Sequence, residues 1–258
     1  MYAAYSRSQA RVSALITLQA CLNGARAPGE HPALPLTPQQ LAADARTCVE
    51  AGARSLHLHP RDAAGAESLD AADIAAALRA VRAAAPGVEI SLSTGLWIAG
   101  GDVERRHALV ASWTDLPDLV SLNLSEPGWQ ALATLLAELG IGVEAGLATT
   151  TDAEALAAGP LQPARVLVEI DDEGLGSEPA VAAAAAIDAV LDRAGVAGPR
   201  LHHGAGPATW AVIEAAVRHG HDVRVGLEDV LELPDGTPAP GNAALVARVR
   251  LTHTRKLA

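Results

Sequence analysis

Phenylalanine is absent from this 258-residue sequence, and aromatic residues make up only 2% of it. Proteins that stack nucleic-acid bases on aromatic rings need more of them than this. Lysine is nearly absent too, the single one being Lys256, third from the end. Schiff-base chemistry needs a lysine set into the site, and Lys256 is badly placed for it. Cys21 and Cys48 are the only cysteines, too few for a disulfide framework. The formal net charge is −11 with no basic stretch, which argues against nucleic acid or an anionic membrane as partner. No apolar run approaches the roughly 20 residues of a membrane span, and Arg7 and Arg11 flank no apolar segment of a signal peptide. These absences read as a soluble, cytoplasmic protein.

Half of the residues are hydrophobic, enough for a sizeable core, and alanine dominates the longer runs, as suits helices. Short apolar runs alternate with alanine- and leucine-rich segments. The pattern predicts strands near 14–21, 55–59, 89–93, 119–123, 142–147, 165–170, 200–203 and 222–227. It predicts helices near 37–51, 70–84, 103–112, 129–139, 152–158, 179–194, 208–219 and 241–252. Thr37 ahead of Pro38, Asp70, Asp102 and Asp152 stand as N-caps, and Gly52, Gly140 and Gly220 as helix ends. Eight strand–helix pairs with no linker or composition break imply one α/β domain over residues 1–258, a (β/α)8 TIM barrel. Two open α/β halves would also alternate, but no G-x-G-x-x-G turn follows the first strand.

In such a barrel the site lies at the C-terminal ends of the strands. The second strand ends His57-Leu58-His59. Residues two apart share a strand face, so both imidazoles point into the mouth together. On the eighth strand, Arg224, Gly226 and Glu228 share one parity, and closure brings the eighth and second strands to either side of the first. Two histidines and a carboxylate form a zinc-type ligand set. Arg224 and Asp229 are either a structural ion pair or, beside a metal, a base held by a guanidinium. Ser93-Thr94-Gly95, ending the third strand, offers donors for a carboxylate. Glu144 lies in an otherwise apolar run, where burial is costly unless it is paired. It either meets a polar ligand or forms an internal salt bridge, and the expectation here places it in the site. His202 and His203, ending the seventh strand, each read separately as a core or surface histidine, with the alternative that one of them lines the mouth.

With these residues assembled, the sequence resembles the β-keto acid cleavage enzymes, as a divergent member that is short at its C-terminus. The resemblance runs from Ile16-Thr17-Leu18-Gln19-Ala20 and Asn23-Gly24-Ala25 through Pro35-Leu36-Thr37-Pro38 and Glu50-Ala51-Gly52-Ala53. It continues through His57-Leu58-His59, Ser93-Thr94-Gly95, Ser121-Leu122-Asn123 and Gly220-His221, then closes with Arg224-Val225-Gly226-Leu227-Glu228-Asp229 and Asn242-Ala243. The resemblance implies a zinc-dependent barrel that exchanges a β-keto acid and acetyl-CoA for acetoacetate and a new acyl-CoA. It implies His57, His59 and Glu228 as metal ligands and Asp229, oriented by Arg224, as the base. Ser93 becomes a hydroxyl near the substrate, Ser121 a small hydroxyl beside it, Thr94 and Gly95 substrate contacts, and Glu144 a selector of the substrate tail. It also implies a homo-oligomer, dimer or tetramer. Typical members carry a Gly-rich loop for coenzyme A after the sixth strand. This chain has Glu169-Ile170-Asp171-Asp172-Glu173-Gly174, whose charge repels CoA phosphates. Typical members often carry an acidic residue at the position of Arg26, and a C-terminal extension beyond the point where this sequence ends, at Ala258. Two further functions fit the same residues: a CoA-independent metal-dependent retro-aldol lyase or decarboxylase of a small keto acid, and a non-catalytic small-acid-binding paralogue.

Overall fold

The computed structural model describes residues 16–172 and 174–254. The strands show why they form a barrel rather than a sandwich of two sheets. Segments such as Ser55-Leu56-His57-Leu58 and Glu89-Ile90-Ser91-Leu92-Ser93 alternate polar with apolar, and Arg165-Val166-Leu167-Val168-Glu169-Ile170 does so except at Leu167. Their apolar sides, including Leu56, Leu58, Ile90, Leu92, Val166 and Val168, join the helices in one core. Their polar sides face one another across the interior, where Gln19 reaches Glu144 on the opposite wall. The hydrophobic core is thus the ring between strands and helices, and the barrel's interior is polar.

Eight parallel strands close in sequence order: β1 (Leu18–Cys21), β2 (Ser55–Leu58), β3 (Glu89–Ser93), β4 (Leu119–Asn123), β5 (Gly142–Leu147), β6 (Arg165–Ile170), β7 (Arg200–Gly204) and β8 (Asp222–Val225). The helices between and after them are α1 (Pro38–Ala51), α2 (Ala71–Ala84), α3 (Val103–Ala111), α4 (Trp129–Leu139), α5 (Thr150–Ala158), α6 (Ser177–Ala194), α7 (Thr209–His219) and α8 (Asn242–Thr254). The register sets Gln19 beside both Ser55 and Arg224, so β2 and β8 flank β1. No helix among the described residues is long and apolar enough to cross a membrane.

Thr37 forms a full capping box with Gln40, and Asp102 accepts from Arg105 N–H. Asp70 stands at the N-cap of α2 without a side-chain bond. The expected cap Asp152 is corrected: Thr149 is the N-cap of α5, and Asp152, three residues on, returns a bond to the Thr149 backbone. Part of the first expected strand, residues 14–15, and Lys256 lie outside the described residues.

Candidate active site

β2 delivers the two histidines. His57 is its penultimate residue, and His59 follows just beyond its end. Asn23, after β1, fixes His59 in place, since its amide nitrogen donates to the His59 carbonyl (2.8 Å) while its oxygen accepts from the His59 N–H (2.9 Å). The two rings stand 78° apart, which turns both Nε2 atoms toward one point, 3.1 Å from each other.

Glu228 arrives differently from the sequence expectation. β8 ends at Val225, so strand parity does not aim Glu228. A tight turn does, in which the Gly226 carbonyl accepts from the N–H groups of Asp229 (2.9 Å) and Val230 (3.0 Å). Gly226 is required because a Cβ there would collide with the Cys21 carbonyl on β1. Gly24, in the left-handed region at φ 56°, leaves the space that the Glu228 side chain fills. Asn242, at the start of α8, pins the turn by accepting from Leu227 N–H (2.7 Å) and donating to the Leu22 carbonyl (2.8 Å). Glu228 Oε1 thereby comes to lie 3.6 Å from His59 Nε2 and 3.9 Å from His57 Nε2.

These separations suit a metal. Ligand atoms held about 2.0–2.1 Å from a tetrahedral ion stand about 3.3–3.5 Å apart, within the 3.1–3.9 Å range seen here. Glu228 Oε2 is buried with no hydrogen-bond partner, an orphaned acceptor of the kind that a cation satisfies. His57 is neutral, its pKa pushed down to about 4 chiefly by burial. Burial also opposes charge on His59, but Glu228 and Glu67 overcome it and hold its pKa up at about 9. Burial likewise opposes ionisation of Glu228, yet Arg224 and the two histidines keep it well below the usual carboxylate range.

Outer partners fix the histidine tautomers. His59 Nδ1 lies 2.5 Å from Glu67 Oε1, and Glu67 accepts in turn from Trp97 Nε1 (3.0 Å). His57 Nδ1 lies 3.2 Å from the Ser91 hydroxyl, which donates to Glu144. A carboxylate behind a metal-binding imidazole orients the ring and raises its basicity. The sequence reading missed Glu67, which sits on the loop after β2, eight residues from His59. It quoted Asn23 and Asn242 in motifs without giving either a task.

Beside the ligand set, Arg224 Nη2 donates to Glu228 Oε1 (2.6 Å) and Asp229 Oδ1 (3.0 Å). His203 Nδ1 lies 3.2 Å from the same Asp229 oxygen. Asp229 Oδ2 is buried without a partner, and a cavity of about 350 Å³ is lined by His57, His59, Ser93, Ser121, Glu228 and Asp229 among others. Of the two β7 histidines, His203 lines this cavity, and His202 belongs to the opposite face of the strand. Burial and Arg224 oppose charge on His203, but the neighbouring carboxylates of Asp229 and Glu169 raise its pKa to about 9. Of the acidic stretch that begins at the end of β6, Glu169 on the strand and Asp171 just beyond it line the cavity. Glu173 lies outside the described residues.

Three residues assigned to the substrate are placed elsewhere. Glu144 is fully buried below the mouth, accepting from Arg165 Nε (2.6 Å), Gln19 (2.9 Å) and Ser91. It forms the internal salt bridge, because Arg165 on the neighbouring strand β6 reaches it first, and its link to the site runs through Ser91. The Thr94 hydroxyl is spent on the Ser121 carbonyl (2.6 Å). Gly95 has the Trp97 ring packed so closely over it that a Cβ would not fit. Neither lines the cavity.

A closed eight-stranded barrel with a two-histidine, one-carboxylate cluster at its mouth defines the class, a barrel with a candidate metal site. The particular family follows from comparison with known proteins. Residues 15–152 and 172–255 match the family model of the beta-keto acid cleavage enzymes, and the chain belongs to that family. It is 34% identical over 91 residues to the 3-keto-5-aminohexanoate cleavage enzyme of Fusobacterium nucleatum subsp. nucleatum, a match covering 35% of this chain and 34% of that protein. In fold it is similar to the apo structure of ObcA (TM-score 0.72, 18% identity, 88% of this chain and 63% of that one). It is similar as well to the ternary complex of ObcA with a C4-CoA adduct and oxalate (TM-score 0.71, 18% identity, 88% and 65%). The chain thus spans less than two thirds of the length of these relatives.

Proposed function

We propose that this protein cleaves a β-keto acid by acyl exchange with acetyl-CoA, using a zinc ion held by His57, His59 and Glu228. The balance is complete: acetoacetate takes the acetyl group of acetyl-CoA and the carboxymethyl group of the keto acid, and CoA leaves on the remaining acyl group. The convergence of three ligand atoms beside the unpartnered oxygen of Asp229 carries this reading.

When bound, the ion would act as a Lewis acid for the 1,3-dicarbonyl oxygens and stabilise an enolate, with no lysine needed. Asp229, on the cavity wall, removes the proton from the carbon between ketone and carboxylate through its unpartnered Oδ2. Arg224 holds the other oxygen in place through its hydrogen bond. His203, protonated below about pH 9, lies beside the same carboxylate and adds a second positive charge next to it. Ser93 and Ser121 offer hydroxyls along the wall to the substrate's oxygens.

Glu169 and Asp171 on the cavity wall favour the second reading, a lyase that uses the same ligands and base without CoA, because their charge opposes the CoA phosphates. The deciding experiment incubates zinc-loaded protein with acetyl-CoA and a broad panel of β-keto acids. Acetoacetate from at least one member supports acyl exchange. Turnover that ignores CoA selects the lyase, and no product from any member refutes both.

A further inference from the structure

We infer that the protein has a second site for a borderline divalent metal such as Zn2+, formed by Asp188, His202 and His221 on the outer side of the barrel wall. His202 is on β7, on the face opposite to His203, and is 2% exposed. Asp188 comes from α6, which packs outside β6 and next to α7. His221 directly precedes β8. One potential ligand atom from each of the three lies within 4.8 Å of the others.

Three features point to a cation rather than to a closed hydrogen-bonded triad. His202 Nε2 is buried without a hydrogen-bond partner, a state that costs free energy unless something fills it. It lies 3.5 Å from Asp188 Oδ1, while His221 Nε2 lies 3.6 Å from Asp188 Oδ2. Both are too long for hydrogen bonds, but they match the spacing of two ligands on one tetrahedral ion. The carboxylate is also held independently of the imidazoles, because Arg200 Nη1 donates to Asp188 Oδ1 (2.9 Å). The same guanidinium donates to Asp192 (2.6 Å), so its charge has a second carboxylate partner.

The His202 and His221 rings are stacked 10° from parallel with centroids 4.6 Å apart. Ligation therefore turns one ring. His202 is enclosed, so the movement falls to His221, whose side chain is 23% exposed. That exposed side gives the ion its route in, and a water completes the coordination. Two imidazoles and one carboxylate select zinc-like ions over Mg2+ or Ca2+, which prefer all-oxygen shells. Bound there, the ion fastens α6 to β7 and β8.

The test is zinc stoichiometry by equilibrium dialysis and elemental analysis, which needs no turnover. Wild-type protein is expected to hold one zinc more per chain than His221→Gln or Asp188→Asn. His57→Ala, with the mouth ligand removed, is expected to keep one zinc and to lose it when His221→Gln is added. The full protein's thermal midpoint should rise with zinc in His57→Ala and stay unchanged in the double variant. The site is refuted if His57→Ala and His57→Ala/His221→Gln hold equal zinc, whatever the mouth site does. Should His221→Gln not fold, the same comparison with Asp188→Asn decides.

Discussion

Replacing Arg165 with methionine isolates the buried charge beneath the site. Glu144 is fully buried and loses the guanidinium of Arg165, keeping the neutral donors Gln19 and Ser91. Removing one partner of a buried ion pair costs about 3–5 kcal/mol. The carboxylate has one escape, which is to take up a proton. At pH 7, protonating a carboxyl of ordinary pKa near 4.3 costs about 1.36 kcal/mol for each of about 2.7 pH units, roughly 3.7 kcal/mol. The loss at pH 7 is thus bounded at about 3–4 kcal/mol. At pH 5 the same proton costs only about 1 kcal/mol, so the penalty should shrink to nearly that. The sign agrees with the native state: burial opposes ionisation of Glu144, but Arg165, together with His57 and Ser91, holds it below its usual range, so the pair stabilises above the unfolded pKa and loses its effect as pH falls. Urea denaturation of metal-free wild type and Arg165→Met at both pH values measures this. The double variant Glu144→Gln/Arg165→Met should recover much of the loss, since no unpaired charge is left behind. A loss below about 1 kcal/mol at pH 7, or one that is equal at pH 5, would refute the reasoning.

Three further outcomes follow from the site. Glu67→Gln should weaken zinc binding about 10- to 100-fold while leaving the three ligands in place; unchanged affinity in a competition titration removes Glu67 from the account. Glu228→Gln should lose the mouth zinc, whereas Asp229→Asn should keep it and lose turnover by at least about 100-fold, read by elemental analysis beside a rate assay; full turnover in Asp229→Asn makes its role as base wrong. In metal-free protein, His59 and His203 hold their protons up to about pH 9. Their contribution to stability is complete below about pH 6.5 and is lost as pH rises through 9, so the thermal midpoint should fall over that interval. A midpoint that is flat or rising there contradicts these assignments.

Most of the barrel was legible because its alternation is strict. Polar residues at every second position of β2 and β3, and at most of those positions in β4 and β6, mark a largely polar interior, and the helix-ending glycines divide the chain. The histidine pair was legible for the same reason, since two residues on one strand share a face whatever the rest of the fold does. Glu228 was found by the wrong route: its aim depends on the turn that Gly226 permits and Asn242 holds, and parity along β8 does not reach it. Glu144 was misassigned because its partner, Arg165, lies on the next strand, 21 residues away. Only the register of β5 and β6 brings them together. Glu67 sits on an irregular loop whose path no periodicity specifies. Thr94 looked like a donor to substrate, but its hydroxyl had a nearer acceptor across the β3–β4 seam.

The central claim, acyl exchange at the mouth, is tested most directly by following carbon. Zinc-loaded protein is given a reactive β-keto acid with acetyl-CoA labelled in its acetyl group, and the products are resolved by mass spectrometry. The account predicts that the label appears in the methyl and keto carbons of acetoacetate and that the new acyl-CoA is unlabelled. Label that stays in acetyl-CoA while the keto acid is consumed would contradict it.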